Sequence, residues 1–185
     1  MQAIYVPEPV PFSGPSIFLA GPTPRSPEVQ SWRPRALRAL EDFEGAVYLP
    51  EKRSGGTSHS YDDQVQWETD ALTAATCIMF WVPRELEPDN NGYPRMGALT
   101  TNVEFGIWMR SGKSILGYPS HAVKMGYLAW HARKEGITIS HHLRDTARLA
   151  VEMANKLHGP CICKHGREYD LNTMKCSSCG KNVEL

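Results

Sequence analysis

The chain predicts an α/β fold, a parallel sheet of five strands with helices on both faces. Short apolar runs rich in β-formers alternate with longer segments of helical period, giving β-α-β-α-β-α-β-α-β-α. The first run, Ser16 to Ala20, is continuously apolar rather than alternating, as a strand covered on both faces requires. Alternation of this kind implies crossover connections between parallel neighbours.

The first strand ends at Gly21-Pro22, a turn signal. Pro27 to Glu44 places Trp32, Ala36, Leu37, Leu40 and Phe43 close to helical spacing, with Pro34 in the first turn or at a kink. Ala46 to Pro50 is the second strand, followed by a Gly/Ser loop. Tyr61 to Thr76 is the second helix, with Ser60 as N-cap and Asp63 as its capping partner. Cys77 to Val82 is the third strand, and Arg84 to Leu99 a long loop. A helix over Thr101 to Arg110, a fourth strand over Ser114 to Tyr118, a helix from His121 to Lys134, a fifth strand at Ile137-Thr138-Ile139 and a last helix from Ser140 to about Leu157 complete the order.

The 185 residues suit one domain with a small appendix. Residues 1–15, with four prolines, form an extended lead-in; 16–157 form the main domain; 158–185 form a cysteine-rich tail. Hydrophobic residues make up 41% and charged residues 22%, ordinary for a soluble globular chain. A net charge of zero argues against a broad grip on nucleic acid or anionic membrane. No apolar run approaches the roughly 20 residues of a membrane span. The N-terminus carries no basic and apolar signal regions, so a cytoplasmic, reducing setting without disulfides is expected.

The stretch Thr100 to Gly106, Thr-Thr-Asn-Val-Glu-Phe-Gly, concentrates the chemistry. It opens the helix after the third strand, where ligands of open α/β sheets bind. Glu104 there is a candidate catalytic carboxylate. The competing reading is a capping box over Thr101 and Glu104.

Ile17-Phe18-Leu19-Ala20-Gly21-Pro22, Trp32-Arg33, Trp67-Glu68, Phe80-Trp81-Val82-Pro83-Arg84, Thr100 to Gly106, Gly112-Lys113 and Gly117-Tyr118-Pro119 follow in order. Together they resemble the nucleoside 2-deoxyribosyltransferase-like proteins, over roughly Ser16 to Leu128. The resemblance implies a flavodoxin-like three-layer sandwich acting on the N-glycosidic bond of a nucleoside or nucleoside monophosphate. It implies that Glu104 attacks the sugar C1′ and that Glu68 is a supporting acid/base, with Asp70 as its fallback. It also implies a homo-oligomer whose sites borrow residues from a neighbour, and no organic cofactor. The family carries an Asp-Gly turn shortly before the nucleophile. Here that region reads Met96-Gly97-Ala98-Leu99-Thr100-Thr101-Asn102, and Asn102, Thr101 or Asp89 are the available substitutes. Base and sugar specificity therefore do not carry over, and exchange to an acceptor base and hydrolysis both stay open.

The chemistry is self-consistent. Cleavage of an N-glycosidic bond passes through an oxocarbenium-like state, which a carboxylate can stabilise or trap. A second acid protonates the leaving base. Other substrate-binding candidates are Gly21 and Pro22 at the first strand end, Trp32-Arg33 for stacking on a base or pairing with a phosphate, and Arg84 for a phosphate or for orienting Glu104. For Pro22 an ordinary turn, and for Trp32-Arg33 a core Trp beside a solvent-facing Arg, are the bland readings.

Four of the five cysteines crowd the tail: Cys161, Cys163, Cys176 and Cys179. Two close pairs can supply a tetrahedral thiolate site for a structural Zn2+, with His158 or His165 able to replace one of the first pair. A rival to the enzyme is a non-catalytic nucleotide-binding or sensing module whose zinc tail binds a partner.

Overall fold

The structure is a computed structural model and describes residues 1–10, 14–24, 28–53 and 60–158, with the backbone alone at 169–170 and 175–176. Its centre is a six-stranded, wholly parallel sheet. In chain order the elements are β1 (Gln2–Val6), β2 (Ser16–Ala20), α1 (Arg33–Ala39), β3 (Ala46–Lys52), α2 (Tyr61–Ala74), β4 (Cys77–Trp81), β5 (Glu85–Pro88), β6 (Pro94–Met96), α3 (Leu99–Trp108), β7 (Ser114–Gly117), α4 (Gly126–Lys134), β8 (Ile139–Ser140) and α5 (Leu143–His158). The sheet order is β1-β3-β2-β4-β7-β8. Without the edge strand β1 this is the doubly wound order of a flavodoxin-like sandwich, whose switch point lies between β2 and β4.

The five-strand expectation is corrected to six. The stretch read as an extended lead-in contributes β1, which pairs with β3 from Gln2↔Ala46 to Val6↔Lys52. Its Ile4 and Val6 are buried in the core, which is what holds a proline-flanked edge strand in place. The loop after β4 also folds in part, as the antiparallel hairpin of β5 and β6. Asp89 pins its turn by accepting from the Asn91 and Tyr93 amides.

Two apolar layers cover the sheet. Phe18, Tyr48, Ile78, Phe80 and Leu116 face Trp67, Leu72, Phe105 and Leu128 of α2, α3 and α4. Ile17, Leu19, Val47, Leu49, Met79 and Ile115 face Leu40 and the small residues Ala36, Ala147, Ala150 and Ala154 of the α1 and α5 layer. Every residue of β2 and β4 is buried, which explains their continuous apolar runs.

Helix boundaries shift for identifiable reasons. α1 starts at Arg33 rather than near Pro27, because Pro34 suits the first turn and lacks the N–H an interior position needs. α2 starts as expected, with Ser60 and Asp63 forming a reciprocal capping box. α4 is confined to Gly126–Lys134 and α5 starts at Leu143. Gly112-Lys113 serves the fold, since Lys113 Nζ donates to the carbonyls of Leu72, Thr73 and Ala75 at the end of α2.

The cysteine tail lies outside the described residues. Only the backbone pairing of 169–170 with 175–176, antiparallel, is described there.

Candidate functional site

A cavity of about 300 Å³ opens at the carboxyl end of the sheet, beside the switch point. β2 ends in Gly21, β3 ends in Pro50, Glu51 and Lys52, α2 presents Tyr61, Gln64 and Glu68, and α3 presents Thr100 and Glu104. Arg33 closes it from the start of α1. The two carboxyls singled out by sequence thus meet in one space.

Each is placed by its helix. α3 buries Thr101 and Phe105, and Phe105 packs edge-on to Phe80 at 5.2 Å between centroids. Thr100 and Glu104, one turn apart, then share the face that lines the cavity. The capping reading of Glu104 does not hold. α3 begins at Leu99, Ala98 is the cap residue in the left-handed region (φ 59°), and Thr101 is buried inside the first turn. On α2, Trp67 is anchored in the core, its Nε1 donating to the Glu8 carbonyl at 2.7 Å. The neighbouring Glu68 is turned to the cavity and accepts from Gln64 Nε2 at 2.8 Å.

Burial, and next the Glu68 carboxylate, push Glu104 up to about 7, with the Arg33 charge pulling the other way. Unfolded, the group titrates near 4.5. Between these values the folded chain keeps a proton that the unfolded chain has lost, so stability falls as pH rises from about 4.5 through about 7. Glu104→Gln removes this cost. The variant is expected to match the wild type near pH 4.5 in urea unfolding and to exceed it by on the order of 2 kcal/mol at pH 8. Equal stabilities at pH 8 would show that Glu104 is not desolvated.

The other sequence candidates separate into groups. Gly21 lines the cavity. Pro22 contributes only its carbonyl, which accepts Trp32 Nε1 at 3.0 Å. Trp32 is a core residue, and its neighbour Arg33, read either as a phosphate partner or as solvent-facing, is the buried cation of the site at 1% exposure. Asp70 is exposed on α2, accepts from Gln66, and does not line the cavity. Arg84 and Asn102 pair with each other, Arg84 also donating to the Lys124 carbonyl. Both line a different, apolar-walled groove with Phe105, Met109 and Leu128. Arg84 and Trp32 also border a larger cleft of about 780 Å³ across the β5–β6 hairpin, with His121 and His141. The smaller cavity is the stronger site, because it holds the paired carboxyls and the perturbed titration. None of Thr101, Asn102 and Asp89 lines it.

Sequence reasoning missed Thr23, Glu51, Lys52, Tyr61, Gln64 and Thr100. Among the described residues no group of three His, Cys, Asp or Glu could hold a metal, and no helix is long and apolar enough to cross a membrane.

The family described as nucleoside 2-deoxyribosyltransferase like matches residues 14–122, more than half of the chain. The match takes in β2 through β7 and every described residue that lines the cavity. No curated protein matches the chain.

Proposed function

Since the chain belongs to the nucleoside 2-deoxyribosyltransferase-like family, we propose that it cleaves or exchanges the N-glycosidic bond of a nucleoside or nucleoside monophosphate in the cavity under Glu104. The observation that carries this is the pairing of Glu104 and Glu68 in one desolvated space at the sheet switch point. A Glu104 oxygen attacks the sugar C1′. The C1′–N bond breaks, its electron pair goes to the base nitrogen, and Glu68 supplies the proton that the departing base needs. An acceptor base or water then attacks C1′ and gives up its proton to the Glu68 carboxylate, and the bond to Glu104 breaks with return of its carboxylate.

The test is a panel of nucleosides and their monophosphates, with and without free acceptor bases, followed by chromatography. Base release that depends on an acceptor marks a transferase, and release without one marks a hydrolase. If no substrate releases base, the enzyme reading fails and a nucleotide-binding module takes its place.

Two further parts of the reading extend beyond the cavity. α3 leaves Leu99, Val103 and Ile107 exposed at 76, 63 and 67%, spaced one turn apart, and α4 leaves Tyr127 and Trp130 exposed. Such a stripe supports a homo-oligomer joined through these helices. A monomer mass in light scattering would exclude it. The tail cysteines 161, 163, 176 and 179 are proposed to hold one structural Zn2+. Metal analysis of the purified chain should find one zinc per chain, lost on joint substitution of Cys176 and Cys179 by Ser. A zinc-free chain would contradict it.

A further inference from the structure

Arg33 is a cation inside the protein, at 1% exposure, and its hydrogen bonds are spread over three segments. Nε donates to the Leu19 carbonyl at 3.2 Å and one terminal nitrogen to the Gly21 carbonyl at 2.8 Å. The other terminal nitrogen donates to Thr23 Oγ1 at 3.1 Å and to Glu51 Oε1 at 2.7 Å. Ser31 Oγ donates to the same Glu51 oxygen at 2.8 Å. One guanidinium therefore joins the ends of β2 and β3 to the start of α1, which is the floor of the cavity. Burying that charge would be costly without a partner, and Glu51, 19% exposed, is the partner.

The charged and titratable groups around the cavity come from every element that forms it. They are Arg33 of α1, Glu51 and Lys52 at the end of β3, Tyr61 and Glu68 of α2, and Glu104 of α3. Arg33 interacts electrostatically with Glu51, Glu104 and Glu68 alike. Arg33 thus faces a structural partner and the two carboxyls of the site at once.

We propose that Arg33 and Glu51 are a positioning pair whose opposed charges set how readily Glu104 ionises: Arg33 favours the carboxylate, and Glu51 withholds part of that charge. Arg33 stays protonated throughout, as guanidinium does in proteins. Removing Arg33 takes away the counter-charge of Glu104. Removing the charge of Glu51 leaves Arg33 more fully available to it. The two losses move Glu104 in opposite directions, whereas a purely structural pair would lower stability in both cases without such opposition. For the catalytic consequence, though not for the tuning itself, the inference rests on the function proposed above.

The experiment is a titration of the glutamate side-chain carboxyls by 13C NMR, with the Glu104 signal identified by its loss in Glu104→Gln. The wild-type midpoint should lie at about 7. In Arg33→Gln it should rise by about one unit, and in Glu51→Gln, which removes a negative charge from the same cavity, it should fall by less. Arg33→Lys, which keeps the charge, should return most of the shift. Midpoints that stay put or move the same way in the Gln variants overturn the proposal. If Arg33→Gln does not fold, Glu51→Gln decides alone, and an unchanged or raised midpoint overturns the proposal. The titration needs no turnover, so it stands apart from the substrate panel. Where base is released, the pH limb of kcat/KM should move with the midpoint. Opposed midpoints with an unmoved limb would keep the tuning pair and remove Glu104 from the chemistry.

Discussion

Glu104→Gln should lose base release by at least about 10³-fold while remaining folded and still binding nucleoside. The amide keeps the shape of the side chain on α3, and Thr101 and Phe105 continue to fix the helix. What it removes is the negative oxygen that faces C1′. Glutamine can neither form the glycosyl ester nor oppose the positive charge that develops on the sugar. The loss should lie in kcat rather than KM, because the carboxylate acts on the reacting carbon. It should also come with the higher stability at pH 8 described above, since burial works against the Glu104 charge. A variant that is both inactive and more stable separates a catalytic role from a structural one. Full activity in Glu104→Gln would end that role.

Gly21→Ala should cost about 3 kcal/mol or more, equivalent to a fall in Tm of roughly 6–12 °C. Gly21 has φ of 152°, a conformation that side chains rarely adopt. A Cβ there would run into the Trp81 carbonyl oxygen and come within 2.8 Å of Trp32 Cζ2. Neither neighbour can yield cheaply. The carbonyl belongs to the backbone of β4, and the Trp32 ring is held by its bond to the Pro22 carbonyl. The same residue accepts from Arg33 through its carbonyl, so displacement there would also loosen the cavity floor. Thermal unfolding checks the cost. A variant within about 2 °C of the wild type would show that the β2 end is not tightly packed.

The parts legible in the sequence are those with local signals. The continuous apolar runs at Ser16 to Ala20 and Cys77 to Trp81 announce strands buried on both faces, and both are found so. Ser60 and Asp63 announce a helix start by their spacing. The joint placement of Glu104, Glu68 and Gly21 follows from strand order, which the family resemblance implies and alternation alone does not fix. What escaped depends on long-range partners. β1 hid behind four prolines, although the alternation of Ile4 and Val6 was a usable signal. Arg33 looked like a surface cation because its counter-charge, Glu51, arrives from the end of another strand. Arg84 pairs with Asn102 rather than with Glu104, and only the fold brings that pair together. Thr101 and Glu104 have the letters of a capping box. The helix starts two residues earlier, at Leu99, and puts Thr101 in the interior.

The pH dependence of base release by the wild-type chain bears most directly on the claim that Glu104 acts as a carboxylate. With the group titrating at about 7, kcat/KM should rise as pH increases through that value and then level off. A kcat/KM that instead falls as pH rises through about 7 would mean that Glu104 must be protonated to work, as the acid and not the nucleophile, and would contradict the account.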